Sequence, residues 1–283
     1  MRERADEAAE EEGHGDHRLL VGIGRAFGGA LIFGLPMLMT MELWQLGFAM
    51  DRGRLALLLA LSLPLLVGVS HRIGFERSFG WREDLRDAFL AYGVGIAASA
   101  LVLAVLGVLK VGMTADEVVG KVAIQSVPAA FGALLARSQF GGGPQEDRGD
   151  EEALSGYFGT LFLMLVGALF LGLNVAPTDE MVLIAFMMTP WHGVALVLLS
   201  VLLMHGFVFA LDFHGGHGGA EGPWWSNFLR FTLVGYVLAL AVSLYVLWTY
   251  GRTDDAGAAA VLTATIVLAF PAAIGVAAAR LIL

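Results

Sequence analysis

The side chains with chemistry to offer fall into two groups. The first lies inside apolar runs. "RAFGGALIFGLPMLMTMELWQLGF", residues 25–48, carries Glu42 between Thr40 and Gln45. Sixteen residues from Ala26 at ~1.5 Å each put Glu42 ~24 Å along a helix, near the end of a bilayer crossing. A carboxylate in a membrane span is costly unless it meets water, a counter-charge or a cation, so it is a functional candidate by default. The other reading is a hydrated interfacial glutamate beside Trp44. Pro36, with Gly28, Gly29 and Gly34, would bend or widen this helix, which suits a pore lining. Lys121 and Gln125 interrupt a later apolar run. A polar path predicts that Thr40, Glu42, Gln45 and Lys121 face protein or water. Without a path they belong at interfaces.

The second group is rich in histidine. His14 and His17 flank Asp16, and Asp212, His214 and His217 form "DFHGGHGG". Imidazole and carboxylate suit hard to borderline metals, and the glycines would let them converge. His71 and His205 sit near the ends of apolar runs, where imidazolium favours a helix C-terminus and neutral imidazole relays protons. His205, Asp212, His214 and His217 are therefore a candidate metal- or proton-sensing set, weighed against a solvated His/Gly loop. Asp51, Asp116, Glu117, Asp179, Glu180, Asp254 and Asp255 lie between runs. They would concentrate cations at a mouth. Alternatively, Asp116/Glu117 and Asp254/Asp255 cap the helices that follow.

Other chemistry is missing from the sequence. There is no cysteine, which excludes disulfides and thiol catalysis. No H-E-x-x-H, G-x-S-x-G, P-loop or dinucleotide fingerprint occurs. Neither catalysis nor a cofactor is expected, and no nucleic-acid partner.

The elements that must position these groups are membrane helices. The chain has 283 residues, of which 57% are hydrophobic and 15% charged, against 45–50% and about 25% in soluble domains. Eight spans are expected, at roughly 26–48, 55–73, 84–109, 118–138, 155–175, 181–211, 226–250 and 257–281, separated by Gly-, Pro- and Asp-containing breaks. The fourth, with Lys121 and Gln125, is the weakest. The acidic start, residues 1–24, reads as a flexible tail and lacks a signal-peptide pattern. With the N-terminus inside, twelve Lys/Arg fall on inner segments and five on outer ones, so both termini are expected in the cytoplasm. Trp44, Trp81, Trp224, Trp225 and Trp248 fall near span ends, as interfacial anchors do.

The sequence also echoes itself. Residues 81–103 align without gaps to 225–247 with eight identities in 23, among them Trp81/Trp225, Arg86/Arg230, Tyr92/Tyr236 and Ser99/Ser243. "PAAFGALLAR" at 128–137 matches "PAAIGVAAAR" at 271–280 at six of ten positions. Looser echoes join 26–33 to 157–164 and 71–75 to 205–209. The expectation is an all-α protein built as a parallel tandem duplication of a four-helix unit, 25–138 and 153–283, joined by a linker at 139–152.

Helix 1, "GGALIFGLPMLMTMELWQLGF", and the "FPAAIG…AAARLIL" ending resemble a family of bacterial integral membrane proteins of unknown function. The resemblance covers the eight helices but not the tail. It implies a bacterial inner-membrane protein and brings no catalytic residues. A second resemblance, confined to one helix, is to potassium channels whose first helix begins R-x-x-A-F-S-D-G and ends L-E-L. Arg25, Phe27, Glu42 and Leu43 fit that frame, Gly28 and Gly29 replace its Ser-Asp pair, and those channels use six-helix repeats.

These readings converge on a cation-conducting channel or carrier with its path between the repeats. Its partners would be the lipid bilayer, small cations and further copies of itself. The alternative is a non-transporting scaffold or sensor with a cytoplasmic His/Asp surface.

Overall fold

The computed structural model describes residues 21–73, 81–140, 157–213 and 224–282. The acidic tail up to residue 20, most of the linker, and His214 and His217 lie outside the described residues. Among those described, no strand occurs.

The helices run α1 (Val21–Leu38), α2 (Met41–Ala49), α3 (Arg52–Ile73), α4 (Trp81–Val105), α5 (Ala115–Phe140), α6 (Tyr157–Val175), α7 (Asp179–Met187), α8 (Pro190–Phe213), α9 (Trp224–Asn227), α10 (Val234–Thr249) and α11 (Ala258–Ile282). A π-helical stretch, Phe228–Leu233, joins α9 to α10. Eight of these segments are long and apolar enough to cross a membrane. The expected all-α membrane architecture is observed.

Two expected spans are broken. The stretch 26–48 divides at Met39–Thr40, and 181–211 divides at Met188–Thr189, leaving the nine-residue helices α2 and α7. At ~1.5 Å per residue, each is ~14 Å long and cannot cross the ~30 Å hydrocarbon layer alone. The second break has a clear cause. Pro190 occupies the first position of α8 and bars Thr189 from helical geometry. At the first break Thr40 is extended; at the far end of α2 Met50 is extended too, and Asp51 Oδ1 accepts the Arg54 backbone N–H at 2.9 Å, capping α3.

The described residues separate into two compact units. One draws on residues 21–39, 62–73, 81–113 and 125–140, the other on 40–61, 114–124, 157–213 and 224–282. In the first, backbones meet directly. A Cβ on Gly132 would lie 2.7 Å from the Gly29 carbonyl oxygen, which sets the α1–α5 crossing. A Cβ on Gly95 would lie 2.8 Å from the Ser126 carbonyl oxygen, which sets the α4–α5 crossing. In the second unit, Gly167 of α6 and Gly275 of α11 stand so close that neither admits a methyl group. Small residues at crossings replace the hydrophobic drive that lipid cannot supply.

α4 and α10 end alike. Gly107 and Gly251 take positive φ (69° and 71°), Val108 N–H reaches back to Leu103 O at 2.9 Å, and Arg252 N–H to Leu247 O at 2.8 Å. Both are glycine-terminated helix ends, for which a side chain at the glycine would be strained.

Candidate functional site

α5 is the most enclosed span, with 78% of its hydropathy window buried. The helix first judged weakest is thus the one most surrounded by protein. Thr114 begins it, its Oγ1 accepting the Glu117 N–H at 3.2 Å. One turn on, Lys121 is only 9% exposed, and its Nζ donates to Glu117 Oε1 at 2.7 Å. The pair makes the ammonium tolerable at that depth, because an unpaired buried charge is far costlier.

α2 packs onto this part of α5. A Cβ on Gly47 would lie 2.7 Å from the Lys121 Cα, and Gly120 has no room for one beside the Gly47 carbonyl. Of the residues expected to line a path, Thr40 and Glu42 are half-buried, Lys121 is buried, and Gln45 is exposed. Thr40 precedes α2 in extended conformation without capping it through its side chain.

The acidic residues between helices are mostly spoken for. Arg52 donates from Nη2 to Asp116 Oδ2 at 2.7 Å and from Nη1 to the Gly47 carbonyl at 2.9 Å. Arg54 holds Asp254 through both guanidinium nitrogens, at 2.8 and 2.9 Å, and lies 4.8 Å from the Trp248 ring centroid. Arg252 reaches Asp179 at 2.9 Å and also the Pro177 carbonyl. The three arginines tie the start of α5, the α2–α3 turn, the α10–α11 turn and the α6–α7 turn into one ionic chain. The cap of α5 is Thr114; the carboxylates expected to cap go elsewhere, Asp116 to Arg52, Glu117 to Lys121, and Asp254, four residues before α11, to Arg54. The Arg54 guanidinium holds the Asp254 carboxyl below its ordinary value.

At the opposite ends of α3 and α8 the histidines diverge. His71 Nδ1 lies 2.9 Å from Oδ2 of Asp84, which is only 2% exposed. His205 Nδ1 meets Thr232 Oγ1 at 3.0 Å, and its ring lies edge-on to Phe228 at 5.2 Å. His205 thus docks against the π-helical stretch, a feature common at functional sites. The side chain of Asp212 lies outside the described residues, as do His214 and His217. Among the described residues no group of three or more His, Asp or Glu could hold a metal.

A family model described as "Putative integral membrane protein (DUF2391)" matches residues 22–283. The chain belongs to this family. The match takes in every described helix, α1 from its second residue, and leaves the acidic tail outside, where the resemblance of helix 1 and the C-terminal ending also stops. No curated protein and no solved structure matches the chain.

The sequence places Glu180 among the acidic residues between runs, and its correspondence to Glu42 emerges only from the glycine crossings. The glycine crossings place Gly29 and Gly167 at the same point of α1 and α6, a spacing of 138 residues. At that spacing residues 29–73 align without gaps to 167–211 with fourteen identities in 45 positions. "GALIFGL" at 29–35 falls on "GALFLGL" at 167–173, and "TMELWQLGFAM" on "TDEMVLIAFMM", pairing Glu42 with Glu180. In the two short helices the buried positions coincide too, Leu43 and Gly47 in α2 with Met181 and Ala185 in α7. This register replaces the looser echoes at 26–33/157–164 and 71–75/205–209, and sets Phe209, not His205, against His71. The "GAL…GL" heptad was the signal that could have found it.

Proposed function

We propose that this protein is a cation-conducting channel or carrier of the bacterial inner membrane, with both termini cytoplasmic and no catalytic role. The halves are read as copies of one unit, α1–α5 and α6–α11, and the path as running between them past α2 and α5. The observation that carries the reading is the Glu117–Lys121 pair inside the most enclosed span. Ionisable groups are kept at such depth chiefly where something polar must pass or bind. The Gly47–Lys121 approach sets the Glu42-bearing helix against the same stretch of α5. Glu42 is the proposed cation or proton ligand, Thr40 and Gln45 its polar neighbours on the chain, and Lys121 the counter-charge that tunes the site.

The test is flux into proteoliposomes under K⁺, Na⁺, H⁺ and Ca²⁺ gradients, comparing wild type with Glu42→Gln and Lys121→Met. The expected outcome is flux of one cation, lost in Glu42→Gln and altered in Lys121→Met. Flux untouched by both would reject the site while keeping transport. Folded protein that passes none of the four ions would reject transport.

The ionic chain gives a second reading its own support. Asp116, Asp179 and Asp254 are each matched by an arginine. A face so neutralised draws cations weakly and suits a scaffold or sensor, with the residues around His205 as its regulatory surface. The same flux assay separates the two.

A further inference from the structure

Gln125 stands out within its own unit. It is 1% exposed, and neither its amide nitrogen nor its amide oxygen has a hydrogen-bond partner. Burying a carboxamide unpartnered costs several times what a hydrogen bond contributes. The surrounding packing gives no reason for it. The next residue, Ser126, abuts the backbone of α4 at Gly95, and one turn further Ala129 lies in ordinary contact with Gly34 of α1. The amide is held in a tightly packed helix with nothing to bond.

The reading of the halves as copies supplies an internal control. α5 and α11 share a register of 143 residues, in which Pro128 falls on Pro271 and Gly132 on Gly275. In α11 the position of Gln125 is Leu268, fully buried. The positions of Glu117 and Lys121 are Ala260 and Ala264. Polar residues at every fourth position of α5 thus correspond to purely apolar ones in α11. A helix in this register buries a leucine at the corresponding position, so the register itself does not require a glutamine.

We propose that Gln125 is a hydration site on the cation path, its carboxamide bonding water and the hydrated ion as it passes, and that this polar line belongs to the first half alone. The inference rests on the transport reading and narrows it, from a path shared by two halves to one polar line on α5. A carboxamide offers an oxygen to the cation and N–H donors to its water at once, which a leucine cannot.

The absence of cysteine makes the test clean. Gln125→Cys and Leu268→Cys are each prepared as the sole thiol in proteoliposomes and exposed to a small water-soluble methanethiosulfonate cation. Gln125→Cys is expected to react about tenfold faster, because only a wet position presents thiolate to an aqueous reagent. Equal rates, or no reaction at either position, overturn the proposal. Gln125→Leu guards against a variant that fails to fold, since leucine is the residue α11 carries. It should be at least as stable as wild type and lose about tenfold in cation flux, as expected when a polar group of a crossing is replaced by an apolar one. Unchanged flux overturns the proposal. Selective thiol labelling in a protein that passes no cation would leave the wet site standing and remove the transport reading, so the two fail separately.

Discussion

Asp254 keeps its charge in the α10–α11 turn because Arg54 grips both its oxygens. Its carboxyl titrates below the ordinary value, so the folded protein binds that proton more weakly than the unfolded chain does. The stabilisation is present above about pH 3.9 and is lost as pH falls through the lower folded value. Arg54→Ala should therefore lower the melting temperature in detergent at pH 7, with the gap to wild type closing below about pH 3.9. A gap that persists at pH 2.5 would point to Trp248 stacking as the main effect. Lys121 behaves differently because it is enclosed. Lys121→Met leaves Glu117 without its partner and should destabilise by about 3 kcal/mol, while Lys121→Met with Glu117→Leu recovers most of the loss. Thermal unfolding of the single and double variants decides it. Neither pairing was visible in the sequence: Glu117 and Lys121 stood four apart on an expected helix, but only tertiary packing reveals that their face is buried. Arg54 and Asp254 are 200 residues apart, and no local spacing announces them.

Among the elements, the glycine crossings are the most specific test. Gly167→Ala or Gly275→Ala would push a methyl into the partner helix's carbonyl and should cost ~1–3 kcal/mol. Gly93→Ala and Gly206→Ala, where an added Cβ meets nothing within 4 Å, should be neutral or slightly stabilising. Unfolding midpoints of all four variants in one detergent form the check, and equal costs would contradict the packing described here. The long helices were legible in sequence because twenty apolar residues admit few other fates. The short ones were not. α2 and α7 continue largely apolar runs, and the first break has no proline or glycine within it. Only Pro190 marks the second, within a 31-residue apolar run.

At the scale of the whole molecule, the order long, nine-residue, long, long, long occurs twice along the described residues, α9 and the π-helical stretch apart, with Thr40 and Met50 flanking α2 as Thr178 and Met188 flank α7. The arginine chain requires the α2–α3, α6–α7 and α10–α11 turns to share one side of the membrane. Single cysteines at the exposed positions Asp51, Glu180 and Ala256 should all react with an impermeant thiol reagent added to one face of intact cells, and Trp225→Cys, at the far end of the Phe228–Thr249 span, should not. Mixed sidedness would refute the assignment. The candidate site was half legible. Glu42, Thr40, Gln45 and Lys121 were singled out by the cost of polar groups in apolar runs, but burial separates Gln45, which is exposed, from the other three, and the pairing of Glu180 with Glu42 needed the crossing glycines.

The two short helices carry one more consequence. Phe186 and Met187 on α7 are 89% and 71% exposed, and Met41 and Phe48 on α2 are also bare. Helices too short to cross, with such side chains outward, occupy area among the glycerol groups of one leaflet and not the other. The unit that holds both helices then takes up more area in one monolayer than in the other, and it relieves packing stress where acyl chains are loosely ordered. Its stability should rise as unsaturated lipid replaces saturated lipid at constant chain length, and Phe186→Ser should flatten that dependence. On this view, curvature stress in a single monolayer is an input to which the molecule is mechanically coupled.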